Sequence, residues 1–455
     1  MESQLKLNQE VLITIKSIGI DGEGVGFYKR QAVFVPGALP PEEVVIKVTK
    51  IKKGYAVGEI VRIKKKSFYR RKPFCKHFTK CGGCQLQHVE YEEQQRLKEQ
   101  LLKQSFERFT DLDLRKIKFH HFNPIVKPRH YRHQANMFIV NTKSEGVMTA
   151  LPDLKGDNLV EVPSCPITDE AINRTNQRVL EICDDNDIFA FDEKSKRGML
   201  RRLVTRKSHY NGEIQVTLVV TIFNKVLKTA AKQILDLEDV SSVAISKNHD
   251  INNKNTFGET HEILEGKATI EERLGDIIYK LSPVDRFPIN PFEAENMFEY
   301  VSTLLKESSG KTMLNLFAGS GVFALYHAHH FDALTAVDVD PKLVQSAQHS
   351  AKANKIKNIH FQSGDESAQL QKFNDKHIMF DTALLSPPKH GLNQPLIKQI
   401  KSSGIHQLIY VSKNPSTLAK DINHLKSAYR LISVMPFDMH PQSSRVDSVA
   451  LLQKN

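Results

Sequence analysis

Four of the five cysteines in this 455-residue chain are spaced like the ligands of one metal centre. Cys75, Cys81 and Cys84 follow the pattern C-x5-C-x2-C with two glycines in the short loop, and Cys165 lies in the segment Pro-Ser-Cys-Pro-Ile. Four thiolates suit either a structural zinc ion or an iron–sulfur cluster, and spacing alone does not separate the two. Four buried thiols that hold no metal are the alternative. The fifth cysteine, Cys183, is assigned to the amphipathic helix predicted from residues 171–182 and is predicted to lie in a core.

A second candidate site is the polar turn Ser-Lys-Asn-Pro that follows an apolar strand predicted over residues 408–411. We expect the next helix to begin behind Ser416 or Thr417 as its N-cap. Residues just past the carboxyl end of a parallel strand face the ligand crevice of an α/β sheet. Lys413 in this turn therefore stands where a catalytic side chain would be placed.

A third candidate site is a glycine turn between a predicted strand and helix, in the run M-L-N-L-F-A-G-S-G-V-F-A-L of residues 313–325. Glycine turns let a nucleoside approach the backbone at a helix N-terminus. Asp338 ends the next strand about twenty residues further on, where a ribose-binding carboxylate is expected. Because G-x-G-x-x-G is absent, the pattern favours an S-adenosylmethionine fold over a dinucleotide site; a Rossmann-like fold that no longer binds cofactor is the alternative. The predicted cofactor contacts in this run are Phe317, Gly319, Ser320 and Gly321.

Three structural units are predicted to position these sites. Residues 1–66 alternate apolar and polar positions between glycine turns, which is typical of a small OB-like β-barrel. Residues 67–283 form a central α+β domain with the cysteines, and its polar helix over 92–107 has an apolar stripe that could pack on the C-terminal domain. Residues 284–455 alternate strands and helices, which predicts a Rossmann-like α/β domain.

Several of these runs resemble the RNA uracil-C5 methyltransferases, and the resemblance covers nearly the whole chain. The runs G-E-G-V-G and V-F-V-P-G-A-L-P resemble a TRAM domain, an OB-like RNA-binding barrel, and the C-terminal part resembles a class I methyltransferase. The C-x5-C-G-G-C run with a distant S-C-P-I cysteine is similar to the 4Fe-4S site of the bacterial branch that modifies a single uridine of 23S rRNA. The resemblance implies a 4Fe-4S cluster, S-adenosyl-L-methionine as cofactor, and an RNA contact by Arg132, which matches the arginine of the family's Y-R-N segment.

The chain departs from the family at the positions that carry the chemistry. Forming 5-methyluridine requires a cysteine thiolate to add at C6 of uracil and a general base to remove the C5 proton after methyl transfer. Lys413 occupies the nucleophile position, no cysteine follows Cys183, and Asp447 occupies the base position of a family glutamate. A lysine amine, with an ordinary pKa of about 10.4, is protonated unless strongly desolvated. The resemblance also places Pro288 and Ser386 at cofactor-site positions, where the family has a cofactor-contacting glutamine and an aspartate near cofactor and base, and Asn315 replaces a further aspartate.

Charge favours a nucleic-acid partner. The 64 Lys and Arg residues exceed the 52 Asp and Glu residues and give a net charge of +12, although a merely basic protein is the alternative. A basic run over residues 50–72, near Phe27, Phe34 and Tyr55, predicts a groove for phosphates. With the resemblance, 23S rRNA or its precursor is the expected partner. No signal-peptide core or membrane-length apolar run is present, so we expect a cytoplasmic monomer without a membrane partner.

The leading hypothesis is an RNA-binding member of this family in which the thiol-dependent methyl transfer is lost. An active S-adenosylmethionine-dependent RNA methyltransferase with altered site chemistry is the alternative, so enzymatic activity and cofactor binding both stay open. An iron–sulfur electron-transfer module is a third hypothesis, but the chain carries no second redox-cofactor motif.

Overall fold

The computed structural model describes residues 5–124, 127–142, 146–250, 255–306 and 310–455. Its three main bodies are a closed barrel, a seven-stranded sheet and an eight-stranded sheet, joined by a two-stranded hairpin. In these ranges no helix has the length and apolar character needed to cross a membrane.

The N-terminal residues close into a five-stranded barrel with the strand order β1-β2-β3-β5-β4, which confirms the predicted barrel. Alternate residues of the first strand are buried, so its apolar side chains fill the interior. Gly26 permits the first two strands to approach, because a Cβ there would lie 2.3 Å from Ile13 Cγ2. The strands are β1 (Glu10–Ile18), β2 (Gly24–Tyr28), β3 (Gln31–Val35), β4 (Glu43–Lys52) and β5 (Tyr55–Lys65).

The middle of the chain builds a seven-stranded sheet with the order β13-β12-β11-β10-β7-β8-β9. One face packs on two helices around a core that contains Cys183, which is fully buried. The elements of this region are α1 (Tyr91–Phe109), β6 (Lys118–Phe119), β7 (Gln134–Asn141), β8 (Val147–Pro152), β9 (Leu159–Glu161), α2 (Glu170–Asp185), β10 (Leu200–Lys207), β11 (Ile214–Val220), α3 (Val226–Leu235), β12 (Val240–Lys247) and β13 (Thr260–Gly266).

The C-terminal residues form an eight-stranded sheet with the order β18-β17-β16-β19-β20-β22-β21-β6. Its first five strands are parallel and lie between two layers of helices, so a strand such as β19 is buried at every position. This arrangement confirms the predicted Rossmann-like fold. The elements are β14 (Ile270–Leu274), β15 (Ile277–Leu281), α4 (Pro291–Lys306), β16 (Thr312–Leu316), α5 (Val322–His327), β17 (Ala333–Asp338), α6 (Pro341–Ala353), β18 (Ile359–Ser363), α7 (Glu366–Asp375), β19 (Thr382–Leu385), α8 (Gln394–Ser402), β20 (Gln407–Ser412), α9 (Pro415–Leu425), β21 (Tyr429–Phe437) and β22 (Asp447–Lys454).

Two elements from the middle of the chain belong to the C-terminal core. Helix α1 places Leu101, Leu102 and Phe106 in the same apolar cluster as Leu418 and Ile422 of α9. Strand β6 pairs in parallel with β21 at the edge of the eight-stranded sheet. The methyltransferase-like sheet is therefore completed by residues that precede the seven-stranded sheet in the chain.

Candidate functional site

The turn after β16 presents backbone to the crevice at the carboxyl edge of the sheet. Phe317, Gly319 and Gly321 have φ angles of 59°, 56° and 75°, in the left-handed region that favours glycine. A Cβ added at Gly321 would lie 2.7 Å from Ala347 Cβ, so this glycine lets the turn pack on α6. A Cβ added at Gly319 would meet no heavy atom within 4 Å. The turn is thus open at Gly319, where a nucleoside ligand can approach the main chain.

Asp338 at the end of β17 is oriented by the backbone beside this turn. Its Oδ2 accepts a hydrogen bond from the Gly319 amide at 2.7 Å, and its Oδ1 accepts one from the Asp340 amide at 3.0 Å. Each carboxylate oxygen has a further lone pair that can accept from a hydroxyl. The carboxylate is therefore placed and oriented as a ribose ligand would need.

Glu366 is a second acidic group at this edge, and the sequence analysis missed it. It follows β18, is buried, and its Oε1 has no hydrogen-bond partner among the described residues. Burial raises the pKa of Glu366 to about 7, and the charge of Asp338 acts in the same direction. The sequence signal for Glu366 was the run S-G-D-E, which follows the end of β18. Carboxyl groups at this position of a parallel strand face the ligand crevice.

The other predicted cofactor residues lie around the point where the strand order reverses, between β16 and β19. Ser320 Oγ donates to the Arg286 carbonyl oxygen at 2.7 Å and so ties the glycine turn to the segment that contains the half-buried Pro288. Ser386 follows β19, and its amide donates to the Leu316 carbonyl oxygen at 3.3 Å. These contacts place the Pro288 segment and Ser386 beside the glycine turn.

Asn315 lies near the carboxyl end of β16 and is fully buried. Its Nδ2 donates to the Leu384 carbonyl oxygen of the neighbouring strand at 3.2 Å. Its Oδ1 is buried and has no partner within the described ranges. The amide therefore joins two strands, and it carries no charge towards the crevice.

The structure confirms the predicted strand as β20, which ends at Ser412 directly before Lys413, but it corrects the predicted helix start. The N-cap is Asn414, whose Oδ1 accepts from the Ser416 and Thr417 amides at 3.0 and 3.2 Å. Pro415 takes the first helical position, where its missing N–H is not needed. Lys413 itself is exposed.

Asp447 lies at the start of β22, one strand away from this turn, and only 6 % of it is exposed. Burial raises its pKa to about 6, against the opposing positive charges of Lys413 and Arg445. His440 Nε2 lies 3.8 Å from Asp447 Oδ2. The pKa of His440 is held well below its ordinary value by burial and then by the positive charges of Arg132, Arg445, Lys98 and Lys389. Of the two groups, the Asp447 carboxylate is therefore the one suited to accept a proton near neutral pH, whereas the environment of His440 disfavours its protonation.

A buried ion pair supports the segment that leads to Asp447. Lys98 of α1 donates to Asp438 Oδ1 at 2.7 Å, and both side chains are fully buried. Tyr91 donates to Asp438 Oδ2 at 2.9 Å, and the Asp438 amide donates to Glu293 Oε1 at 3.0 Å. Lys98 also donates to the His440 carbonyl oxygen at 3.3 Å. Helix α1 thus holds the chain between β21 and Asp447 in place.

A cleft of about 850 Å³ separates the barrel from the C-terminal sheet. Residues from three parts of the chain line it: the barrel, the cysteine segment and the C-terminal turns that carry Lys389, Lys413 and Arg445. Phe34 and Phe78 contribute aromatic surface to it. The candidate nucleophile position therefore opens into a cleft shared between the barrel and the candidate active site.

Comparisons with known proteins agree with this architecture. A model of the tRNA (Uracil-5-)-methyltransferase family matches residues 90–455, and a TRAM domain model matches residues 4–61. The chain belongs to the tRNA (uracil-5-)-methyltransferase family. It is 34 % identical over 455 residues to an uncharacterized RNA methyltransferase of Halalkalibacterium halodurans, with 98 % of this chain and 97 % of that protein covered. It is 32 % identical over 454 residues to another of Bacillus cereus, with 99 % and 98 % covered.

A solved structure shows the same fold. The crystal structure of Pyrococcus abyssi tRNA (uracil-54, C5)-methyltransferase in complex with S-adenosyl-L-homocysteine superposes with a TM-score of 0.75. The two chains are 24 % identical, and the match covers 97 % of this chain and 100 % of that one. The predicted combination of a TRAM barrel and a class I methyltransferase fold is thereby confirmed.

The four cysteines of this uracil-5-methyltransferase family member are free thiols, and Cys165 packs in the same apolar clusters as Cys81 and Cys84. Burial raises the pKa values of Cys75, Cys81 and Cys84, the last to about 12, and the charge of Cys165 raises each of the three further. Across the described ranges, no group of three or more His, Cys, Asp or Glu side chains is arranged to hold a metal ion. The donor set suits a metal in number and type, while the predicted iron–sulfur cluster itself stays a prediction.

Arg132 lies near both the cysteines and the His440 side chain of the candidate active site. Its Nε is buried and has no partner among the described residues. Its positive charge acts on the thiols of Cys81 and Cys84 on one side and on His440 on the other. The predicted RNA contact of Arg132 stays a prediction for this family member.

Proposed function

We propose that this protein is an RNA-binding member of the family that acts on ribosomal RNA and has lost thiol-dependent methyl transfer to uracil C5. We assign the protein to the bacterial iron–sulfur branch of the family and infer that it binds 23S rRNA or its precursor. We further infer that it is a cytoplasmic monomer. The observation that carries it is the exposed lysine, Lys413, at the position of the nucleophile in the cleft.

The chemistry of the family reaction explains why this position matters. C5 of uracil is a poor nucleophile until a thiolate has added at C6. The chain has no cysteine after Cys183, so the C-terminal domain has no replacement thiol. An amine can attack C6 only through a free lone pair, which the protonated form of a lysine lacks. An amine adduct at C6 would also have to be expelled after methyl transfer.

The base position supports the same proposal. Asp447 is one methylene shorter than the family glutamate, and a displacement of about 1 Å can cost a factor of about 10² in rate. Ser386, Pro288 and Asn315 replace further polar residues around the cofactor crevice. We infer that RNA binding by the barrel and cleft is the retained property.

A second candidate is an active methyltransferase with altered site chemistry, and three observations favour it. The glycine turn is open at Gly319, Asp338 is oriented beside it, and Asp447 has a pKa near 6. S-adenosyl-L-methionine bound at this turn would supply an electrophilic methyl group. Asp338 and Glu366 would then hold the nucleoside part, and Asp447 would accept a proton.

We also propose that Cys75, Cys81, Cys84 and Cys165 hold a 4Fe-4S cluster. This proposal is supported by four free thiol groups that are close enough to interact electrostatically as thiolates. The Arg132 guanidinium lies nearby and would offset their negative charge. Anaerobic purification followed by iron, sulfide and zinc analysis tests this. Zinc without iron, or neither metal, would contradict it.

A methyl-transfer assay tests the main proposal. Purified protein, S-adenosylmethionine with a labelled methyl group and 23S rRNA from cells that lack the gene are incubated together, and label in the RNA is counted. We expect no incorporation while the same protein binds the RNA in a filter assay. Incorporation that Asp447→Asn abolishes would contradict the proposal and establish the second candidate.

A further inference from the structure

The C-terminal wall of the cleft carries three cations around one buried carboxyl group, that of Asp447. Lys389, Lys413 and Arg445 are exposed and all line the cleft. None of them forms a close ion pair with a carboxylate of the described chain, and the nearest neighbour of the Asp447 carboxylate among the charged or titratable side chains is the neutral His440, at 3.8 Å. Burial and then the positive charge of Arg445 lower the pKa of Lys389; the charge of Asp447 opposes this in part, and Lys413 adds to the lowering. The three charges are therefore close enough to act on one another.

The two turns that carry the lysines are fixed to each other through α9. Thr417 Oγ1 donates to the Lys389 carbonyl oxygen at 3.0 Å, and Asp421 Oδ2 accepts from the Leu392 amide at 2.9 Å. Tyr410 of β20 donates to the same Asp421 oxygen at 2.6 Å. The backbones that carry these two lysines are thus placed before any ligand arrives, so binding does not require the turns to be ordered.

The residues just before Arg445 contact the other two walls. Ser444 Oγ donates to the Ile20 carbonyl oxygen of the barrel at 2.8 Å, and the Ser444 amide donates to Gln85 Oε1 at 3.4 Å. The Gln442 carbonyl oxygen accepts from the amides of Gln85 and Leu86 at 3.1 and 2.9 Å. The third cation is therefore positioned by the barrel and the cysteine segment.

The barrel wall of the cleft has the opposite character. It carries the carboxyl groups of Asp21, Glu23 and Glu59 together with the aromatic ring of Phe34. A strand of RNA in the cleft would be repelled by these carboxylates if its phosphates faced them. Its phosphates are attracted to the three cations, and its bases can pack on aromatic surface.

We propose that Lys389, Lys413 and Arg445 form a binding site for the backbone phosphates of an RNA strand, so that the nucleophile position now serves as a phosphate contact. The inference rests on the proposed function and names what that site binds. A protonated lysine is a compact point charge with three donors, which suits a phosphate oxygen and gives no selectivity for a neutral uracil ring.

The salt dependence of binding to a labelled 16-nucleotide oligouridine tests this site. Each phosphate contact to a single strand contributes about 0.7 to the slope of log K against log salt. We expect Lys413→Ala to lower the slope by about 0.7, so that its affinity deficit shrinks about 2.6-fold between 50 and 200 mM salt. Lys413→Arg should keep the slope. The matched control is Lys398→Ala, which removes an exposed lysine of α8 outside the cleft and should change nothing.

The outcomes separate this inference from the proposed function. An unchanged slope in Lys413→Ala overturns the phosphate site, as does an equal loss in Lys413→Arg. Methyl transfer by the native protein would overturn the proposed function, and it is measured independently of the slope. Because Lys413 is exposed, the melting temperature of Lys413→Ala should equal that of the native protein, so the slope reports on binding and not on folding.

Discussion

Replacing Lys98 by methionine should strongly destabilise the C-terminal sheet. Methionine keeps most of the apolar stem but removes the ammonium, so Asp438 retains only the Tyr91 hydroxyl as its side-chain partner. Both members of the ion pair are fully buried, and leaving one charge unpaired in such a site costs about 3–5 kcal/mol. At about 2–4 °C per kcal/mol for a domain of this size, the melting temperature should fall by about 6–20 °C.

Thermal unfolding followed by circular dichroism measures this change. Lys103→Met is the matched control, because Lys103 is exposed on the same helix, and it should stay within about 0.5 kcal/mol of the native protein. The double variant Lys98→Met/Asp438→Asn should recover part of the loss, since no unpaired charge is left. A Lys98→Met protein that melts with the native protein would refute the role given to α1 in holding the segment before Asp447.

Three further predictions concern the candidate active site. Because burial raises the pKa of Asp447 from its ordinary value to about 6, the folded state binds this proton more tightly than the unfolded state, and the resulting stabilisation is lost as pH rises towards 6. Asp447→Asn should therefore be more stable than the native protein by up to about 3 kcal/mol between pH 4 and 7. Urea unfolding of the two proteins measures this difference. Gly319→Ala should lower the free energy of unfolding by about 1 kcal/mol because of the positive φ at this position. It should also abolish binding of S-adenosylhomocysteine in calorimetry, since the added Cβ points into the open crevice. Unchanged binding would place the cofactor elsewhere. Lys413→Cys alone should not restore methyl transfer to rRNA, because Ser386, Pro288 and Asp447 stay changed; methylation by that variant would show that those three residues do not limit the reaction.

Local pattern predicted much of this molecule. Alternation between glycine turns identified the barrel, and the glycine turn with Asp338 identified the crevice, because each depends on residues that are near in sequence. The position of Lys413 followed from the rule that side chains after a parallel strand face the crevice, and the structure puts Lys413 directly after β20.

Long-range pairing could not be read in the same way. Lys98 lies in a polar helix and looks like one solvated lysine among several, and its partner Asp438 is 340 residues away. Strand β6 has two residues, too few for a period, and it exists because β21 offers it a sheet edge. The N-cap was misplaced by two residues or more because Ser416 and Thr417 are equally good capping types, while Pro415 and the Asn414 side chain decide the start.

Nucleoside mass spectrometry on ribosomal RNA from cells with and without the gene tests most directly whether methyl transfer has been lost. If the family reaction is lost, the two samples should contain the same methylated nucleosides in the same amounts, while the purified protein still binds 23S rRNA. The disappearance of one methylated nucleoside with the gene, and its return with the native gene but not with Asp447→Asn, would contradict the loss and require a mechanism in which Lys413 takes part.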